Sequence, residues 1–283
     1  MSDPRPEPTS AHEAPERPAA PPELTHLRLE RPADGVALLV LDLPELRNAM
    51  SDEMTASWVR AVDHLAADPS VRAVVVTGEG QGFCSGGNLS WLASEPDATV
   101  DALRTRMLPF YRAWLSVRRL EVPTIAAING AAIGAGLCLA LACDLRFAAR
   151  GARMGVPFTR LGLHPGMAGT YLLPDVVGAA ADRDLFLTGR LVDADEALAL
   201  GLVSRVVDGA ALREVAIEAA SGIAQAAPIA TRLTKRALQR PHASLDVALD
   251  WEGLAQPVTL ATDDLREGIL AAQEKRSPRF EGR

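Results

Sequence analysis

Twice along this chain a short apolar run empties into a glycine loop. AVVVTG (73–78) leads to GFCSGGNLSWL (82–92), and PTIAAING (123–130) leads to AAIGAGLCLALAC (131–143). A third run, DLRFAA (144–149), follows at once. Short runs rich in valine, isoleucine and alanine, bounded by glycine, read as buried strands. AAIGAGLCLALAC reads as a helix of small residues. Strand, glycine loop and helix in alternation point to an α/β core with right-handed crossovers.

The flanking segments fit that core. LRLERPADGVALLVLDLPE reads as two strands joined by a turn at 33–35. Ser51 caps a helix, with Asp52 and Glu53 in the first turn, where carboxylates favour the positive end of the dipole. Met54, Trp58, Ala61 and Leu65 then repeat at helical spacing. Residues 99–118 carry Val100, Leu103, Met107, Tyr111 and Leu115, an amphipathic helix. From about residue 180 the pattern turns helical: Asp193 caps ADEALALG, Gly201 ends it, and Val203, Val206 and Val207 form a short strand. Helices are expected over 209–226, 229–239, 244–254 and 262–275. Residues 1–23 are rich in Pro, Ala and Glu without apolar pattern and read as a disordered tail.

At 283 residues, 48% of them hydrophobic, the chain is long enough for one sizeable core. A net charge of −7 speaks against general binding to nucleic acid or an anionic membrane, while leaving room for a local basic patch. Cys84, Cys138 and Cys143 have no CxxC spacing and fit a reducing cytosol, so a cytoplasmic protein is expected. The N-terminus has no apolar stretch of signal-peptide type, and no apolar run reaches membrane-spanning length.

The familiar glycine motifs fail one by one. Gly78, Gly80 and Gly82 do not make G-x-G-x-x-G, and Leu139 fills the third glycine position after Gly134 and Gly136. No Walker A sequence occurs. His12, His26, His64, His164 and His242 are scattered without metal-ligand spacing, so no metal is expected. Ser85 lacks the first glycine of a hydrolase elbow. What remains is the backbone. Gly86 and Gly87 allow an N–H to approach a ligand oxygen, and the loop at 128–136 opens a helix whose first N–H groups have no internal acceptor. Two such donors, one per loop, would polarise a carbonyl on its way to an oxyanion or enolate.

With those loops in view, the chain resembles the crotonase superfamily, the enoyl-CoA hydratase/isomerase group. The resemblance runs from about Leu27 to Phe280. It is carried by LDLPELRNAM (41–50), GFCSGGNL (82–89), residues 123–149, LGLHPGMAGTYLLPDVVG (161–178), LTGRLVDADEALALGLVSRVV (187–207) and EGILAAQEKRSPRF (267–280), in that order. It implies a ββα spiral core over 24–208 and a C-terminal helical trimerisation region over 209–283. A homotrimer or dimer of trimers is implied, with an acyl-CoA thioester as ligand and no permanently bound cofactor. The oxyanion-hole donors fall on Gly87 and Ala135; the latter position is usually glycine. CoA would run past Arg47 and Ala49, with its adenine near Ser85, Gly87 and Leu89. Lys275 matches a lysine that meets the CoA phosphates, often in a neighbouring subunit.

The proton carriers depart from the family pattern. The hydratases use two glutamates on one water, and their positions fall on Cys138 and Phe158. Cys138 reads as a small buried residue and Phe158 as a pocket wall. The position that carries aspartate in some isomerases and dehalogenases is Gly166, and the acid after the first donor is Asn88. His164 is the titratable candidate nearby, with a pKa range suited to neutral pH. Against catalysis stands a plain loop-fixing role ahead of Pro165. Asp175 and Arg160 are weaker candidates. Three readings stay open: a hydratase or isomerase acting through an enolate-like state; another crotonase-type reaction such as hydrolysis, decarboxylation or C–C cleavage using His164; and a non-catalytic acyl-CoA-binding paralogue.

Overall fold

The computed structural model describes residues 22–87, 97–239 and 244–283. Leu89, Asn88 and nearly all of the N-terminal tail lie outside them. Two sheets run side by side. The larger has the order β1 (Leu27–Ala33), β2 (Val36–Leu41), β3 (Ala73–Gly78), β5 (Thr124–Ile128), β7 (Leu145–Ala149), β10 (Arg205–Val207). The smaller has the order β4 (Gly82–Cys84), β6 (Ala131–Ile133), β8 (Arg153–Gly155), β9 (Leu191–Asp193). Neighbours from β2 to β10 in the larger sheet are parallel, as are β4, β6 and β8 in the smaller. The consecutive pairs β3–β4, β5–β6 and β7–β8 each put one strand in each sheet. That repetition is the ββα spiral.

The larger sheet is covered on both faces, which is why β2 reads VALLVL with every residue buried. Side chains alternate across a strand. Ala37, Leu39 and Leu41 face a cluster with helix α1 (Asp52–Ala67), while Val36, Leu38 and Val40 face Leu212, Ala216, Ala220 and Ala224 of helix α6 (Leu212–Ala224). The remaining α-helices among the described residues, in chain order, are α2 (Val100–Trp114), α3 (Ala135–Ala142), α4 (Gly169–Thr188), α5 (Ala194–Ala199), α7 (Pro228–Leu238), α8 (Leu245–Leu260) and α9 (Asp263–Glu274).

Ser51 caps α1 as expected, its hydroxyl accepting the Met54 N–H at 3.1 Å. Met54, Trp58, Ala61 and Leu65 are all buried. Trp58 stacks on Trp114 at a centroid distance of 5.1 Å, and the Trp114 indole N–H donates to Thr55 Oγ1 at 2.9 Å. This clamp fixes the end of α2 against α1.

Several boundaries differ from expectation. The helix foreseen over 99–118 stops at Trp114 and tightens into a 3₁₀ turn, Leu115–Arg119. Its apolar stripe faces a core only at its C-terminal end: Val100 and Leu103 are exposed, Met107 and Tyr111 line a cavity, and Tyr111 and Leu115 pack against the core. Residues Ala131–Ile133 belong to β6 because they pair with both β4 and β8. The first three residues of GFCSGGNLSWL form β4. Helix α4 begins at Gly169, earlier than the composition indicated, and bends at Gly178, whose φ is 73°.

Candidate active site

Because β4 and β6 are parallel neighbours, their C-terminal loops emerge side by side, with Cys84 opposite Ala132. Two glycines let the loops touch. A Cβ at Gly86 (φ 93°) would sit 2.7 Å from the Ile133 carbonyl oxygen and 3.2 Å from the Ala135 nitrogen. A Cβ at Gly136 would sit 2.1 Å from the Cys84 carbonyl oxygen. Gly87 itself has nothing within 4 Å of a built Cβ, so its side faces open space.

The two N–H groups are left over by the local hydrogen bonding. The Met50 N–H bonds the Gly86 carbonyl at 2.9 Å, and Met50 bridges Gly87 in parallel sense. In that pattern Gly87 keeps its own N–H off the edge paired with Met50. Ala135 is the first residue of α3, where N–H groups lack intrahelical acceptors and carry the positive end of the dipole. Among the described residues neither N–H has a hydrogen-bond acceptor.

Both residues line a cavity of about 480 Å³. Leu46, Ala49, Ser85 and Gly134 lie beside them on its wall, and Met107, Phe110, Tyr111, Phe158, Leu161, Leu163, His164 and Gly166 complete most of the rest. Phe158 packs over Gly134, with Cζ 3.6 Å from where a Cβ would be. The Ser85 hydroxyl donates to the Leu46 carbonyl at 3.3 Å and is held as scaffold. His164 Nδ1 lies 2.8 Å from the Pro165 carbonyl oxygen. A carbonyl only accepts, so Nδ1 is the donor of this bond, and Nε2 is the ring nitrogen it leaves uncommitted.

Gly87, Ala135, His164, Ala49, Ser85 and Phe158 are therefore brought together around one space. Three other sequence candidates are not. Cys138 is fully buried behind the wall, its Sγ 3.7 Å from the Gly166 carbonyl, and burial pushes its thiol up to about 12. It is a packing residue and does not contact the cavity. Arg47 is exposed outside the lining; its left-handed backbone (φ 52°) offers a carbonyl to the Ser85 N–H at 3.0 Å. Lys275 is exposed at the left-handed end of α9, outside this cavity. Cys84 is buried with its thiol likewise raised to about 12, which removes it as a nucleophile.

The sequence reading missed two asparagines that position the first loop. Buried Asn48 donates to the Glu79 and Gly82 carbonyls at 3.0 and 2.8 Å and accepts the Leu43 N–H at 2.9 Å. Asn129 donates to the Gly80 and Gly82 carbonyls and accepts the Gly78 N–H at 3.1 Å. Together they brace the β3–β4 turn from both sides. An asparagine directly before Gly130 and another before Ala49 were the available signals.

No helix among the described residues is long and apolar enough to cross a membrane. Nor does any group of three or more His, Cys, Asp or Glu side chains among them suit a metal ion.

A sequence model of the enoyl-CoA hydratase/isomerase family matches residues 31–283. The chain is 36% identical over 267 residues to the mitochondrial methylglutaconyl-CoA hydratase of Rattus norvegicus, covering 92% of this chain and 84% of that protein. It is also 36% identical over 251 residues to the 1,2-epoxyphenylacetyl-CoA isomerase of Escherichia coli K12, covering 88% and 96%. The crystal structure of an enoyl-CoA hydratase from Bacillus anthracis superposes with a TM-score of 0.86 at 33% identity, covering 92% of this chain and all of that one. Paired glycine loops on parallel strands, the spiral that carries them and these likenesses agree: the chain is an enzyme of the enoyl-CoA hydratase/isomerase family, in the crotonase superfamily.

Proposed function

We propose that this enzyme binds an acyl-CoA thioester and polarises its carbonyl between the Gly87 and Ala135 N–H groups, with His164 Nε2 as the base. The observation that carries this reading is the pair of N–H groups, without an acceptor among the described residues, on adjoining loops of one cavity. In a largely apolar site such fixed dipoles stabilise developing enolate charge without reorganising. CoA itself enters as part of the substrate, past Ala49 and Ser85, with Arg47 at the rim and Leu89 beyond the described residues. Cys138 and Phe158 stand at the hydratase glutamate positions, and neither moves a proton at neutral pH. Water addition by paired carboxylates is therefore replaced by single-base chemistry at His164, and the reaction class is an isomerisation, hydrolysis, decarboxylation or C–C cleavage of the thioester.

The same proposal includes self-association as a homotrimer or dimer of trimers. Leu245, Leu249, Leu254 and Val258 of α8 and Ile269 and Leu270 of α9 are exposed, an apolar surface suited to burial against another copy. In such an assembly Lys275 would serve a neighbour's CoA phosphates.

Two assays test the reaction. Crotonyl-CoA hydration is expected to run at least about 10²-fold below a hydratase that has both glutamates, the usual worth of positioned acid–base groups. On whichever thioester of a wider panel turns over, His164→Ala should remove about 10²-fold of kcat while leaving CoA affinity unchanged. Ordinary hydratase rates, or an unaltered His164→Ala enzyme, would eliminate the single-base mechanism.

A further inference from the structure

The polar side chains on the cavity wall number few. The Ser85 hydroxyl is committed to the Leu46 carbonyl and His164 Nδ1 to the Pro165 carbonyl. Tyr111 is different: its hydroxyl makes no hydrogen bond among the described residues, and it lines the cavity half-buried. The Trp58–Trp114 stack holds the end of α2, and Phe110 meets the Tyr111 ring at 6.2 Å near edge-on. The phenol lies against position 166. A Cβ built on Gly166 would lie 2.5 Å from Tyr111 Oη and 2.9 Å from Cζ. The phenol and any side chain at 166 exclude one another, so in this chain the phenol occupies the space that a side chain there would fill.

Burial raises the Tyr111 pKa above the ordinary phenol value, and the Cys138 thiol behind it adds to the same direction. At neutral pH the group is an O–H donor, not a base. An O–H in an apolar wall loses its water partner when a ligand fills the cavity, so a ligand without an acceptor there leaves it unpaired. Sites built this way reject analogues that lack the matching polar group far better than apolar pockets reject a methylene.

Resting on the acyl-CoA reading above, we propose that Tyr111 is a specificity-determining residue of the acyl site. Its hydroxyl donates to an oxygen carried by the acyl group, in the cavity that His164 also lines. Oxygen-bearing acyl thioesters are thereby selected over plain saturated ones.

The test is calorimetric binding of 3-hydroxybutyryl-CoA and butyryl-CoA to the full-length chain. The wild type should prefer the hydroxylated ligand about tenfold, or about 1.4 kcal/mol. Tyr111→Phe keeps the ring but removes the hydroxyl that butyryl-CoA leaves unpaired, so it should bind butyryl-CoA at least as tightly as the wild type while losing the preference. Gly166→Ala, which displaces the phenol, should lose it too. Equal wild-type affinities, or a preference that survives in Tyr111→Phe, overturn the assignment and leave the acyl-CoA reading standing. Failure of both thioesters to bind overturns both.

Discussion

Gly87→Pro lowers turnover about 10²–10³-fold, the worth of one oxyanion donor, and Gly87→Ala, which keeps the N–H, lowers it less. The contrast follows from geometry. Proline deletes the N–H, whereas alanine keeps it and adds a methyl group where nothing lies within 4 Å. Gly87 is not among the residues with left-handed φ, so an alanine there is unstrained. Steady-state kinetics on the active thioester, with ligand affinity measured alongside, separates loss of chemistry from loss of binding. A Gly87→Pro enzyme with wild-type kcat would mean that this N–H does not touch the reacting carbonyl. An inactive Gly87→Ala enzyme would mean that shape, not the donor, makes this position matter.

The second large effect comes from one added carbon. Gly136→Ala places a Cβ 2.1 Å from the Cys84 carbonyl oxygen and 2.7 Å from its carbon, both backbone atoms with no side-chain freedom to give way. Strand β4 and the first turn of α3 must part. Overpacking of this kind costs about 3 kcal/mol, readable by chemical denaturation. The same shift carries the Ala135 N–H away from the Gly87 N–H. A displacement of about 1 Å in a catalytic group costs about 10²-fold, so kcat should fall in enzyme that remains folded. Wild-type stability and rate in Gly136→Ala would show that the two loops are not packed as described.

These two glycines mark what the sequence made legible and what it hid. The strands β2, β3 and β5 announced themselves through runs such as VALLVL and AVVVTG, because strands buried on both faces are apolar at every position. Ser51 announced α1 through its cap. The strands β4, β6 and β8 are three residues each, too short for any periodicity, yet they set the loops side by side. Residues 131–133 looked helical because alanine and isoleucine suit either state, and pairing on both edges decided the matter. Among site residues, the two glycine loops were reachable by asking which N–H groups lack an acceptor, while the resemblance to the family put the donors on Gly87 and Ala135. The roles of Gly86 and Gly136 were not reachable, since a close approach between segments about fifty residues apart leaves no local trace. Tyr111 looked like one more apolar position of a helix stripe, and only the fold turns that stripe toward a cavity. Cys138 was read both as a buried packing residue and as a substrate contact; its complete burial fits the first alone.

The most direct measurement is a crystal structure of the enzyme with acetoacetyl-CoA, whose thioester enolises readily. The thioester oxygen should lie about 2.7–3.1 Å from both the Gly87 and Ala135 nitrogens, with the acyl group toward Tyr111 and His164. A thioester oxygen bound away from these two N–H groups would contradict the polarisation that the rest of the mechanism depends on.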